Sequence, residues 1–172
     1  EKLIRRHPHV FADSDLNTDA QIKANWENEK ARERQQKSGQ EKISILADIP
    51  NTLPALSQAA KIQKRCAHVG FDWQDVNGVF EKIVEEVAEV KQELHGDQDA
   101  LAEELGDLLF AVVNLCRHAR QDPEALLRQA NKKFTKRFQG VEQMVEASHK
   151  PFDEHNLNTL DEYWRRVKAM EK

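Results

Sequence analysis

Two neighbouring stretches of the sequence repeat apolar residues with the period of an α-helix and are parted by a short polar turn, a pattern that restricts the fold more than any other. In the first, from about 78 to 94, Phe80, Ile83, Val84, Val87, Val90 and Leu94 recur roughly every 3.6 residues. In the second, from 101 to 120, Leu101, Leu105, Leu108, Val112 and Leu115 do the same. Gly96-Asp97-Gln98-Asp99 makes the turn, and so short a connection sends the second helix back antiparallel alongside the first.

The flanking sequence adds helices around that pair. Asn51-Thr52-Leu53-Pro54 opens one with proline in its first turn; Leu56, Ala59, Ala60, Ile62 and Gln63 follow on successive turns, and Gly70 suits the left-handed residue that closes it. Asp122-Pro123 caps another, which carries Phe134, Phe138 and Val141 and ends before Pro151. Thr159 with Glu162 predicts a capping box at the start of the last helix, which runs through Arg166 and Lys168. Far upstream, Thr18 with Gln21 is a further capping box, and 19–37 reads as one exposed helix around Trp26, followed by a linker near Gly39. Aromatic residues make up only 6% of the chain and Ala, Glu, Lys, Gln and Leu recur throughout, so local propensity favours helix nearly everywhere. The expected class is all-α, a helical bundle built on the antiparallel pair.

Charge and cysteine usage exclude several function classes. A formal net charge of −4, with acids and bases interspersed, lacks the basic stripe that a phosphodiester backbone demands, so duplex nucleic acid is not an expected partner. Cys66 and Cys116 each lack a second cysteine nearby, which removes a local CxxC redox site or cysteine zinc site and suits reduced thiols in a cytosol. No apolar run approaches the roughly 20 residues of a membrane span, and no secretory signal opens the chain. A soluble, cytoplasmic protein without membrane contact is expected. Because the sequence starts at Glu1, without methionine and already helix-like, it reads as an excised fragment.

At about 100° per residue, Glu86, Glu89 and Glu93 share one flank of the first apolar stripe, and Glu104 and Asp107 the corresponding flank of the second. Acids three positions apart hold their Cβ atoms about 5–6 Å from each other, so each helix offers a pincer and the two meet at one seam. Carboxylates about 4 Å apart repel by roughly 4 kcal/mol at an effective dielectric near 20, a strain that a divalent cation removes. Oxygen ligands without histidine or cysteine select a hard ion, Mg²⁺ before Mn²⁺. A single Glu in so acidic a helix is ordinarily a solvated surface charge; the paired pincers are what point to metal. A ferritin-like di-iron bundle would need Glu-x-x-His on two helices, but that spacing occurs here at Glu146 and His149, outside the acidic pair. A Gly-x-x-x-x-Gly-Lys phosphate loop is absent.

Glu85-Glu86-Val87-Ala88-Glu89, fourteen further residues and then Glu104-Leu105-Gly106-Asp107 resemble the EExxE…ExxD signature of the MazG family and related all-α nucleoside triphosphate pyrophosphohydrolases. Val69-Gly70-Phe71-Asp72-Trp73, Gly106-Asp107-Leu108-Leu109-Phe110 and Asn131-Lys132-Lys133-Phe134 with Arg137-Phe138 extend the resemblance from about Ile45 to the end. It implies that Glu86, Glu89, Glu104 and Asp107 are ligands of Mg²⁺ and, together with Glu85 as a supporting acid or salt-bridging neighbour, the catalytic set. It implies also that Lys133, Arg137, Trp164 and Lys168 grip the nucleotide. Cations one turn apart supply donors for a triphosphate, and an indole can stack on a base. Read on their own, Trp164 is also a candidate core residue and the cations are candidate surface charges. Asn114, two turns beyond Asp107 on its flank, is a candidate partner for sugar or base, or for a buried backbone group. The reaction implied is Mg²⁺-dependent hydrolysis of nucleoside triphosphates to the monophosphate and pyrophosphate, with Glu85 or Glu93 placed to take a proton from the attacking water. One tryptophan stack tolerates many bases, so broad base tolerance is expected.

Lys2 and Arg6 repeat the spacing of Lys133 and Arg137, and Trp26 and Lys30 that of Trp164 and Lys168. Residues 1–40 therefore read as the C-terminal remnant of a first MazG-like unit plus linker, and 41–172 as a complete catalytic unit. Leu109, Phe110 and Val113 leave the central pair apolar over more of its circumference than the remaining helices can cover, and the resemblance implies a homodimer that completes the core. The alternative, from another class, is a catalytically silent helical module that senses nucleotide or binds a protein. The remnant unit, with cations and a tryptophan but no acidic pincers, fits that alternative; the intact acids of the second unit speak against it.

Overall fold

The computed structural model describes Thr18, Gln21, Glu29 and residues 44–171, and the chain divides into two units, Glu1–Asp48 and Ile49–Lys172. In the first unit the Thr18 capping box is formed. Thr18 Oγ1 accepts from the Gln21 N–H, and Gln21 Oε1 from the Thr18 N–H, each at 3.2 Å. Most of the expected helix around Trp26, the linker near Gly39, and Lys2, Arg6 and Lys30 lie outside the described residues.

In the second unit the described residues form five α-helices and no strand, so the class is all-α as expected. They are α1 (Ala55–Ala67), α2 (Val76–Glu93), α3 (Gln98–His118), α4 (Pro123–Ala147) and α5 (Leu157–Met170), with a 3₁₀ turn at Phe152–Glu154 before the last. Side-chain caps start four of them: Asp75, Asp97, Asp122 and Asn156 accept from the N–H groups of Asn77 (2.8 Å), Asp99 (2.7 Å), Ala125 (3.0 Å) and Thr159 (2.9 Å). Because Asp75 and Asp97 satisfy first-turn donors, α2 and α3 begin earlier than 78 and 101. Thr159 does not open α5; it lies inside the first turn, and Asn156 is the cap. Pro54 stands just ahead of α1 rather than within its first turn.

Gly70, at φ +83°, closes α1 in a left-handed turn: the Phe71 N–H bonds Cys66 O and the Gly70 N–H bonds Ala67 O, both at 3.1 Å. α3 closes the same way without glycine. Arg120 takes φ 57°, with Gln121 N–H on Cys116 O at 2.8 Å and Arg120 N–H on Arg117 O at 3.0 Å.

α2 packs chiefly on α3, α1 lies against α3 and α4, and α5 packs on α4. The core is thin. Its buried apolar side chains are Ile49, Val79, Ala111, Val113, Val141 and Val145, and the polar Gln63, Glu86 and Asn114 are buried beside them. Val113 is therefore covered within the chain, contrary to its expected place in the surplus apolar surface. No residue of the expected apolar stripe of α2 is fully buried: Phe80, Val84, Val87 and Leu94 stay between 50% and 57% exposed, and the buried residues of the helix are Val79 and Glu86, which lie outside that stripe. On α3, Leu105, Leu109 and Val112 are likewise exposed. Among the described residues no helix is long and apolar enough to cross a membrane.

Candidate active site

The period of α2 and α3 turns their acids toward one seam, where Glu86, Glu104 and Asp107 each place a carboxylate oxygen within 4.8 Å of the others. Glu86 is only 3% exposed. Its Oε1 accepts from Lys82 Nζ at 2.6 Å, while its Oε2 has no hydrogen-bond partner. Lys82 also reaches Glu85 Oε1 at 3.0 Å, which makes Glu85 a salt-bridging neighbour, and the two carboxylates drive the Lys82 ammonium well above its usual pKa.

Glu89 stands beside that group of three rather than in it. Desolvation, followed by the charges of Glu86 and Glu104, raises its carboxyl above the usual carboxylate range. Glu104 is raised in the same way, by desolvation first and then by Glu86 and Asp107, with a smaller push from Glu93. Such mutual repulsion among oxygens, together with a buried carboxylate oxygen that lacks a donor, suits a divalent cation.

Glu86, Asp107 and Lys82 line one part of a cavity of about 310 Å³ between α1, α2 and α3. α1 supplies Gln63, whose Nε2 donates to the Phe110 carbonyl of α3 at 2.7 Å. Two turns along α3 from Asp107 lies Asn114, buried, its Oδ1 accepting from Arg117 Nε at 2.8 Å. Arg117 in turn forks onto Asp72, with Nη1 donating to Oδ2 at 2.9 Å and Nη2 to Oδ1. His118 Nε2 is 3.1 Å from the same Oδ1. The Arg117 hydrogen bonds hold the Asp72 carboxyl below the usual carboxylate range and bind the loop before α2 to the end of α3. Next along that loop, Trp73 lines the cavity by lying on Gly78, where an added Cβ would run into the indole Cδ1.

Of the expected nucleotide-gripping residues, Asn114 lines this cavity, whereas Lys133, Arg137, Trp164 and Lys168 do not. These four belong to α4 and α5. Arg137 lies over the Trp164 ring, 5.9 Å from its centroid, and pairs with Glu171 at 2.8 Å, holding that carboxyl below its usual range. Phe134 packs on the same indole at a centroid distance of 5.1 Å, and Lys133 and Lys168 are exposed.

Residues 74–144, which carry α2, α3 and most of α4, match the MazG nucleotide pyrophosphohydrolase domain. Nearly the whole chain, 99%, aligns at 48% identity over 174 residues with the nucleoside triphosphate pyrophosphohydrolase of Escherichia coli (strain K12), covering 65% of that protein. The chain belongs to the MazG family. A second MazG relative, the nucleoside triphosphate pyrophosphohydrolase/pyrophosphatase MazG of Thermotoga maritima, is 46% identical over 169 residues, 98% of this chain and 62% of that protein. The uncharacterized protein YabN of Bacillus subtilis (strain 168) is 39% identical over 174 residues, 100% of this chain and 35% of its own length. This chain thus spans less than two thirds of the length of the first two relatives.

The matched MazG segment contains every acid of the seam but not Gln63, Phe71, Asp72 or Trp73, which wall the cavity from outside it. Sequence reasoning passed over Lys82, although its position four residues ahead of Glu86 on the same helix face was a usable signal. No local signal marks the Asp72–Arg117 fork, whose partners stand 45 positions apart.

Proposed function

We propose that this MazG chain hydrolyses nucleoside triphosphates to the monophosphate and pyrophosphate at the Glu86–Glu104–Asp107 seam, with Mg²⁺ as its cofactor and Mn²⁺ as a substitute. The observation that carries this reading is the buried Glu86, one of whose oxygens lacks a donor, with a carboxylate oxygen within 4.8 Å of those of Glu104 and Asp107 beside the cavity. The names borne by the E. coli and T. maritima relatives agree with it.

Glu86, Glu104 and Asp107 would hold the cation, with Glu89 completing the set. Bound there, it supplies neutralisation of the triphosphate charge and a more acidic water. The chain's own side chains do the rest. Lys82 offsets the negative charge on Glu86 and Glu85, and Glu85 and Glu93, at the edge of the seam, are the candidate proton acceptors. Lys133, Arg137 and Lys168 donate to the phosphates. Trp164 fixes Arg137 through its ring face and offers the nucleotide a flat surface; Asn114 serves sugar or base from the cavity. Tolerance of many bases follows from a site made mainly of charges and rings.

The proposed assembly is a homodimer. Phe80, Val84 and Val87 on α2 and Leu105, Leu109 and Val112 on α3 leave stripes at the i, i+4, i+7 spacing uncovered, and a second copy would cover them. A cytosolic setting fits the two free thiols, Cys66 and Cys116. Pyrophosphate release from a mixture of triphosphates, with and without Mg²⁺, tests the reading. Release only with Mg²⁺ is expected, whereas nucleotide binding without release would make the chain a sensing module instead.

A further inference from the structure

Lys133 and Arg137 stand one turn apart on α4, and on α5 Trp164 and Lys168 do the same. Glu171, the residue that closes α5, is three positions beyond Lys168 and continues the face that carries the indole and the lysine. A carboxylate cannot help to hold a triphosphate, yet it is this acid that has the arginine. Arg137 Nε and Nη2 both reach Glu171 Oε2 at 2.8 Å. Those two donors form one edge of the guanidinium, the edge by which arginine grips a carboxylate or a phosphate. Its flat face is already spent on Trp164.

The charge around Glu171 has one sign. Arg137 holds the carboxyl below its usual range, and Lys136 and Lys133 add to the effect. The cations of α4 thus converge on one anion, and that anion is a side chain. The pair does little for the fold, because its partners are 20% and 26% exposed and ion pairs so open to solvent are weak. Its consequence is instead that the donors are taken. A phosphate brought to the same edge would meet a like charge at close range, so substrate and side chain cannot share it.

We propose, building on the reading that Lys133, Arg137, Trp164 and Lys168 hold the nucleotide, that Glu171 is a built-in competitor of the substrate: its carboxylate keeps the phosphate-binding edge of Arg137 until a triphosphate displaces it. Glu171 acts through Arg137 and is a positioning residue. A triphosphate, with several charges against one, wins the edge, but its apparent affinity is lowered by the fraction of chains in which the edge is taken. The reaction at the acidic seam is untouched. Glu171 therefore sets KM and not kcat.

The test is steady-state pyrophosphate release with Mg²⁺ from wild type, Glu171→Gln, Glu171→Ala, Arg137→Met and the Glu171→Gln/Arg137→Met double variant. Both Glu171 variants are expected to lower KM by threefold or more with kcat within about twofold of wild type. Calorimetry with an α,β-methylene triphosphate should show the same fall in Kd. Arg137→Met should raise KM, and on that background Glu171→Gln should change nothing. An unchanged or raised KM in the Glu171 variants overturns the inference while Arg137→Met still raises KM, for Glu171 would then be an ordinary surface partner or a support for the arginine. A lowered KM that persists on the Arg137→Met background overturns it too, since the acid would act without the arginine. If Arg137→Met leaves KM unchanged, the assignment of α4 and α5 to nucleotide fails, and this inference falls with it.

Discussion

Glu86 is buried with Lys82 bonded to one of its oxygens, and the other oxygen is left over. Lys82 and a divalent cation are therefore two ways of balancing the same group. Lys82→Met should lower the metal-free stability by about 1–3 kcal/mol, since the lysine is itself partly in solvent and its attraction is screened. The same variant should show a larger Mg²⁺-induced rise in Tm than wild type, measured by thermal denaturation with and without the ion. An unchanged Mg²⁺ increment would separate Lys82 from the cation site. The kinetic roles of acids and cations divide in a similar way. Glu86→Gln and Asp107→Asn remove stabilisation of charge that grows toward the transition state, so kcat should fall by roughly 100-fold or more with KM little changed. Trp164→Ala should mainly raise KM, because a flat contact to the nucleotide is worth about 1–3 kcal/mol in ground and transition states alike. Acid variants that retain wild-type kcat would take catalysis away from the seam.

At the level of elements, the cavity is held open by connections between helices rather than by any one of them. Asp72 on the loop before α2 is gripped by Arg117 at the end of α3, and this fork sets where Phe71 and Trp73 stand. Arg117 lowers the Asp72 carboxyl below its unfolded value, so the fork contributes fully above the ordinary carboxylate pKa of about 3.9. Its contribution is lost as pH falls through the lowered folded value. Asp72→Asn should cost about 1–2 kcal/mol in urea unfolding at pH 7, with the gap to wild type closing below about pH 4. A gap that persists unchanged in acid would mean that packing, not charge, holds the loop. Much of the element order was legible beforehand because its signals are local: the Asp122-Pro123 start, the glycine that ends α1, and the acids spaced to one flank. Local signals also misled. Thr159 and Glu162 have capping-box spacing, but Asn156 stands three residues earlier and takes the N–H first. Gln63 reads from sequence as one more residue on the α1 stripe; its meaning depends on a carbonyl 47 positions away, which no periodicity foretells.

On the scale of the whole molecule, the six buried apolar side chains among the described residues make a small core for helices this long, and the unspent apolar surface sits where the sequence is most regular. Phe80, Val84 and Val87 follow one another at helical spacing with 50% to 57% of each exposed, on the helix that carries the acids, and Leu109 on α3 is 60% exposed. Water against such stripes is unfavourable by on the order of 25 cal/mol for each Å² of apolar surface, whereas a second copy presents the same apolar stripes to cover them. Pairing would also stiffen α2 and α3 and so keep the acid oxygens at the separation a small ion requires. Sedimentation at micromolar concentration should therefore give a species of roughly twice the 19.9 kDa chain. Val84→Glu or Leu109→Glu would place a charge in the covered surface, at a cost of several kcal/mol, and weaken association by about 100-fold or more. Both variants should sediment as monomers and lose Mg²⁺-dependent pyrophosphate release together with assembly. A wild-type chain that sediments at the mass of one copy with full activity would show that α2 and α3 hold the seam without a partner.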